Sequence, residues 1–189
     1  MRNGLSPLQV LVRNILENHQ NHKWVAAPYD TYCIYFKPES VLNLYFGSIA
    51  DGGTHSHPYD FRSEIVVGVF KQRRYTVVDS GGELYQRRER SLDGKIKGDP
   101  TECRLLAGPL EVYQSGDMYE LLAPEIHRVS PDKGTLTFMT RQHKTKPASF
   151  MSFRIEGACA PSGDGVLSTP AAVAERVKAA AEYALEAWF

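Results

Sequence analysis

From Trp24 to Phe153 no helical period survives in the sequence. Short runs rich in Tyr, Phe, Ile and Val alternate with turn signals instead. The candidate strands are Thr31 to Lys37, Val41 to Ile49, Ser63 to Lys71, Tyr75 to Asp79 and Glu83 to Ser91. They continue through Cys103 to Tyr113 (broken at Gly108-Pro109), Met118 to Leu122, Ile126 to Ser130, Thr135 to Arg141 and Phe150 to Ile155. Between them lie Pro38-Glu39, Asp51-Gly52-Gly53, Ser80-Gly81-Gly82, Asp93-Gly94 and Gly116-Asp117, which are turn chemistries. About ten short strands at this spacing predict an all-β barrel or sandwich.

The two ends read differently. Ser6 is a good N-cap, Pro7 suits the first helical turn, and Gln9 completes a capping box, with Leu5 and Val10 placed as a staple. Leu8, Val12, Ile15 and His19 share one face, flanked by Leu11 and Leu16, which predicts an amphipathic helix over residues 6–19. Thr169-Pro170 starts a second helix, over about 169–188, with Val173, Val177, Ala181, Ala184 and Trp188 on one face. That face should pack on the barrel or on a second subunit. The small, polar stretch Gly157 to Gly165 reads as a loop or arm. The expectation is therefore a single domain over 189 residues, with the β barrel at about 24–156.

Lys plus Arg and Asp plus Glu both total 22. This balance points to neither a nucleic-acid nor a membrane partner. Three widely spaced cysteines, Cys33, Cys103 and Cys159, with no CxxC, fit a reduced compartment. Pro7, Gln9 and Arg13 interrupt any apolar signal region, and no apolar run approaches the ~20 residues of a membrane span. Together these predict a cytoplasmic protein.

The chemistry concentrates in Gly52-Gly53-Thr54-His55-Ser56-His57-Pro58-Tyr59-Asp60-Phe61-Arg62-Ser63-Glu64. Residues i and i+2 of a strand point the same way, so His55 and His57 can offer two imidazoles to one ion. A third candidate, His127, opens a strand after the turn around Pro124. Tyr59, Arg62, Tyr119 and Arg141 are candidates for binding a carboxylate or donating a proton nearby. His19 and His22 sit at a helix end, and His143 among polar residues; none of these is assigned chemistry. No Gly-x-Ser-x-Gly or phosphate loop occurs.

His55-Ser56-His57 with Glu64 and Gly68 resembles the first motif of the cupin superfamily, and Gly116, Pro124 and His127 resemble its second. The resemblance covers roughly Val41 to Arg141. Within it, "HSHPYDFRSEIVVG" and "LLAPEIHRV" are similar to a small-cupin subgroup, and the wider relatives include cysteine-dioxygenase-like enzymes. It implies an all-β double-stranded β-helix (jelly-roll) barrel, flanked by N- and C-terminal α-helices, with a metal at one end of its interior. By motif, His55, His57 and His127 are ligands. Glu64 is the acidic candidate, although it lies seven residues after His57 and Asp60 lies three after.

Three imidazoles suit Fe(II), Zn, Ni, Cu or Mn. The expectation is an Fe(II) oxygenase, with thiol dioxygenation as nearest analogy, acting on a small polar molecule. Alternatives are an O2-independent metal-assisted isomerase or lyase, or a non-catalytic small-molecule-binding module. Tyr119, Arg62 and Arg141 are the expected catalytic residues. A homodimer is expected from open sheet edges and the Trp/Phe-tipped helix.

Overall fold

The computed structural model describes residues 5–27, 31–36, 39–46, 53–91, 95–142, 149–155, 169–186 and 188. Its core is two sets of antiparallel strands with a helix near each end of the chain. The first set runs in the order β1 (Val25–Ala27), β2 (Thr31–Phe36), β3 (Ser40–Tyr45), β11 (Leu136–Arg141), β5 (Phe61–Val67), β9 (Met118–Leu121). The second closes on itself: β10 (Ile126–Val129), β4 (Thr54–His55), β12 (Ser149–Ile155), β7 (Glu83–Ser91), β8 (Ile96–Gln114), β6 (Val69–Val78), then back to β10. After β3 the chain passes from one set to the other at nearly every connection. That exchange is the jelly-roll expected from the sequence.

Gly68 marks one such crossing, between β5 and β6. Its φ is +87°, and a Cβ there would meet Thr135 Oγ1 at 2.8 Å, so both conformation and space require glycine. The sequence predicts strands over Ser63 to Lys71 and Tyr75 to Asp79; the break falls instead at Gly68, and β6 runs on without interruption. Strand β8 is also longer than expected and continues through Gly108-Pro109. The β6–β8 register shifts there, between Arg73 and Tyr75, and the bulge accommodates a proline that cannot donate to the ladder.

The N-terminal helix α1 (Pro7–Glu17) begins at the expected capping box: Gln9 N–H donates to Ser6 Oγ (3.2 Å) and Ser6 N–H to Gln9 Oε1 (2.9 Å). Val12, Ile15 and Leu16 are buried, whereas Leu11 is exposed. Leu5 and Val10, the expected staple, are both exposed. The C-terminal helix α2 (Pro170–Glu186) buries Val177, Ala180, Ala181 and Ala184. It packs on α1 and on the outer face of the first sheet, in one apolar cluster with Ile34, Leu42, Leu44, Val66 and Leu136. Trp188 packs against the same cluster, so the expected stripe of α2 is covered by the barrel of its own chain. Burying each such leucine contributes ~1.5–3 kcal/mol. The 157–165 arm, the Asp93-Gly94 turn, His143 and Cys159 lie outside the described residues. No helix among the described residues is long and apolar enough to cross a membrane.

Candidate metal centre

The site starts from one cross-strand pair. His55 on β4 is the direct partner of His127 on β10, and directly opposed residues share a face of the sheet. His57 follows two residues after His55 and sets its ring beside it, with the centroids 4.8 Å apart. The three rings form a near-equilateral group, with centroids 4.8, 4.8 and 5.1 Å apart. Their candidate ligand atoms all lie within 4.8 Å of one another. His127 is 2% exposed, and the other two rings are largely covered.

Hydrogen bonds orient these rings. His55 Nδ1 lies 2.7 Å from the Gly53 carbonyl, an acceptor, so Nδ1 carries the proton and Nε2 is left with its lone pair. His127 Nδ1 lies 3.0 Å from Gln72 Oε1. Nε2 of His57 and Nε2 of His127 are 3.0 Å apart. Two nitrogens each ~2.1 Å from one ion at a right angle are separated by ~3.0 Å, so this spacing fits two ligands of a common ion. Burial lowers the pKa of His55, and lowers those of His57 and His127 well below the ordinary histidine value; neighbouring cationic groups add to the shift at His57 and His127. All three rings are therefore neutral near pH 7, the form in which histidine binds metal. The donor set fits a divalent ion that accepts imidazole nitrogen.

Glu64 does not join this group. Along β5, Phe61, Ser63 and Ile65 are buried on the interior face, so Glu64 alternates outward with Arg62 and Val66. Its cross-strand partner Phe138 packs in the cluster beneath the helices, which confirms the side it faces. Sequence distance from His57 does not carry this information; strand parity does. Asp60 is engaged elsewhere: its Oδ1 accepts the Ala123 N–H at 2.6 Å, tying the His57 segment to the turn before His127. His57 N–H donates to the Ala123 carbonyl across the same junction (3.3 Å).

The other expected residues separate in the same way. Arg62 is exposed, and its Nη2 lies 2.8 Å from Met118 Sδ on the outer face. Tyr119 is interior, stacked on Phe70 (5.2 Å) and edge-on to Phe61 (6.0 Å). Its hydroxyl shares a hydrogen bond with Ser63, and burial pushes its pKa well above the usual tyrosine value. Phe61 in turn sets its ring edge against His57 at 4.8 Å, so Tyr119 stands one ring behind the histidines. Arg141 is the cross-strand partner of Phe61 and also faces inward. Its guanidinium lies over Tyr59 at 4.5 Å and hydrogen-bonds the Tyr59 hydroxyl. Arg141 Nε is buried with no hydrogen-bond partner among the described residues. Its charge is near enough to help lower the pKa of His57. Cys33, on the same interior face, has its thiol pushed up to about 12 by burial and is unreactive near neutral pH.

One set of residues was not legible as functional from the sequence. Gln72 is fully buried, accepts from His127, and donates through Nε2 to Glu111 Oε2 (2.8 Å). Glu111 also accepts from the Tyr113 hydroxyl (2.7 Å) and from Arg74 Nε (3.0 Å). Arg74 continues to Glu125 Oε1 (2.7 Å) and the Glu120 carbonyl (2.9 Å). The available signal was parity: Gln72 is two residues after Phe70 on β6 and so shares its inward face, a polar side chain at a buried position.

No protein-family model matches the sequence, and no curated protein matches it significantly. Among solved structures, it is similar to the Drosophila melanogaster CENP-C cupin domain, with 9% identity and a TM-score of 0.41 over 64% of this chain and 74% of that one. It is also similar to an RmlC-like cupin from Shewanella frigidimarina, with 17% identity and a TM-score of 0.37 over 67% and 88%. A third neighbour is hydroquinone 1,2-dioxygenase from Sphingomonas sp. with 4-hydroxybenzoate bound, at 16% identity and a TM-score of 0.35 over 69% and 68%. The chain's own strand order, two antiparallel sets that exchange strands with the two histidine segments paired side by side, is the jelly-roll that the resemblance to cupins implies.

Proposed function

We infer that the chain is a metal-dependent enzyme, an Fe(II) oxygenase acting on a small polar molecule that carries an anionic group. The observation that supports this most is the convergence of His55, His57 and His127, each kept neutral by burial, with no carboxylate joining them among the described residues. Fe(II) held by three imidazoles keeps positions open for O2 and substrate together.

The surrounding residues have separable tasks in this reading. Arg141 offers a buried Nε that has no hydrogen-bond partner among the described residues, and a planar guanidinium suited to a carboxylate. Tyr59 holds that guanidinium by its ring face and hydroxyl. Phe61 and Tyr119 form an aromatic wall that excludes water beside His57. The high pKa of Tyr119 suits it to donate a hydrogen bond rather than to surrender its proton. Arg62 takes no part, because it points away from the barrel interior. The same reading pairs two chains through the outer face of β8, where Leu106, Leu110 and Val112 are exposed; sedimentation at micromolar concentration should give the mass of a dimer.

The test is O2 uptake by protein loaded anaerobically with Fe(II) and offered small thiol acids, hydroxy acids and aromatic acids. Iron-dependent uptake with one class is expected. Arg141→Met should then raise KM for that acid by ~10–100-fold, the loss of one charge-assisted contact. Tight iron binding with no uptake across all classes would defeat the oxygenase reading and favour a metal-assisted isomerase or lyase.

A further inference from the structure

We propose that Glu111, which touches none of the three histidines, is a positioning residue that selects the metal-binding tautomer of His127 by fixing which way the Gln72 amide faces. The proposal rests on the metal reading of the histidine group for its purpose, though not for its geometry.

His127 can hold an ion at Nε2 only if its single proton is on Nδ1. The group facing Nδ1 is the Gln72 side-chain amide, at 3.0 Å. An amide has an oxygen at one corner and an NH2 at the other, of nearly the same size. With the oxygen toward His127, Nδ1 must donate and Nε2 is free. With the NH2 toward His127, Nδ1 must accept, and the proton moves to Nε2, where it blocks the ion. Gln72 by itself does not choose between these.

Glu111 makes the choice. The other corner of the amide is 2.8 Å from Glu111 Oε2. A carboxylate only accepts, so that corner must be the NH2. Glu111 also receives the Tyr113 hydroxyl on the same oxygen and Arg74 Nε on both, at 3.0 and 3.4 Å. Three donors converge on it, so both of its oxygens are engaged as acceptors. Gln72 is fully buried, so water cannot substitute for either partner. Arg74 is fixed in turn by Glu125 and by the Glu120 carbonyl, on the two segments that precede His127. The chain of orientation is thus Arg74 to Glu111 to Gln72 to His127 Nδ1.

The test uses the full chain and two near-isosteric variants, Glu111→Gln and Gln72→Met, each checked for folding by circular dichroism. The side-chain nitrogens of 15N-labelled histidine report the tautomer in metal-free protein, and titration with Zn2+ against a competing chelator reports affinity. In the unsubstituted protein His127 should be protonated on Nδ1. Glu111→Gln supplies an acceptor and a donor, frees the amide to turn over, and should give a mixture of the two tautomers. Both variants should bind Zn2+ ~10–100-fold more weakly, the usual consequence of losing an outer partner of a metal ligand. A single Nδ1–H tautomer and unchanged affinity in Glu111→Gln would overturn the proposal. So would a protonated Nε2 on His127 in the unsubstituted protein. If the unsubstituted protein holds the expected tautomer but binds no Zn2+, the metal reading fails while the tautomer selection stands. Should Glu111→Gln fail to fold, the unsubstituted protein and Gln72→Met decide by tautomer: a single Nδ1–H form that becomes a mixture in Gln72→Met supports the proposal, and an Nδ1–H form that persists there overturns it.

Discussion

The first sheet presents two faces built by the same strands. Its outer face, beneath α1 and α2, is lined by Ile34, Leu42, Leu44, Val66 and Leu136, a continuous apolar cluster. Its inner face carries Cys33, Asn43, Phe61, Ser63 and Thr137, and the second sheet opposite adds Gln72 and His127. Successive residues of one strand supply both: on β5, Val66 belongs to the helix side and Phe61 to the histidine side. Apolar contacts on the outer face are tolerant of small shifts. The polar groups inside need named partners at fixed distances. Stability and chemistry are therefore distributed by strand parity, not by region of sequence.

The sharpest way to break this division is at His127. His127→Ala should lower metal affinity by more than the ~10–100-fold associated with an outer partner, with elemental analysis of purified protein showing little bound metal. Full occupancy in that variant would show that the three rings are not one site. On the opposite face, Leu42→Ala should cost ~2–5 kcal/mol in denaturant unfolding while metal bound per folded molecule stays unchanged. A matching loss of affinity would mean that the faces are coupled.

Acid should act on the inner face alone. The three histidines have folded pKa values below the ordinary value, so the unfolded chain takes up protons first as pH falls. Above pH ~6.5 both states are neutral at these positions. Below it, metal-free protein should lose ~1.4 kcal/mol of stability per pH unit for each ring that stays unprotonated in the fold. Unfolding curves between about pH 7 and pH 5 measure this slope, and His57→Gln with His127→Gln should flatten it. The smallest effect is expected at Glu64. Glu64→Gln should change stability by no more than ~0.5 kcal/mol and leave Zn2+ affinity where it was, because the side chain faces away from the histidines.

What could be read from the sequence followed the range of the interactions concerned. The capping box of α1 involves Ser6 and Gln9, three residues apart, and its signal is entirely local. The histidine group was legible because two members are adjacent in parity and the third lies in a recognisable turn-and-strand unit. The position of Glu64 was not, since the parity of β5 relative to β4 depends on the loop between them. The two-residue strand β4 shows in the sequence only as the i, i+2 spacing of His55 and His57, because a strand that short has no periodicity to detect. Pro109 suggested an interruption in β8, and only the bulge opposite it explains why the ladder continues. Gln72 and Glu111 are 39 residues apart, and their contact follows from the β6–β8 register alone.

The brevity of β4 bears on how the molecule is assembled. Two residues cannot hold a strand in place; Thr54 and His55 are kept there by β10 on one side and β12 on the other. These neighbours come from much later in the chain, so large loops must close before His55 has a fixed position. The two halves of the histidine group should consequently meet after the folding barrier has been crossed. A bound ion would then act as a latch on the finished molecule: in stopped-flow experiments Zn2+ should slow unfolding and leave the refolding rate almost unaltered.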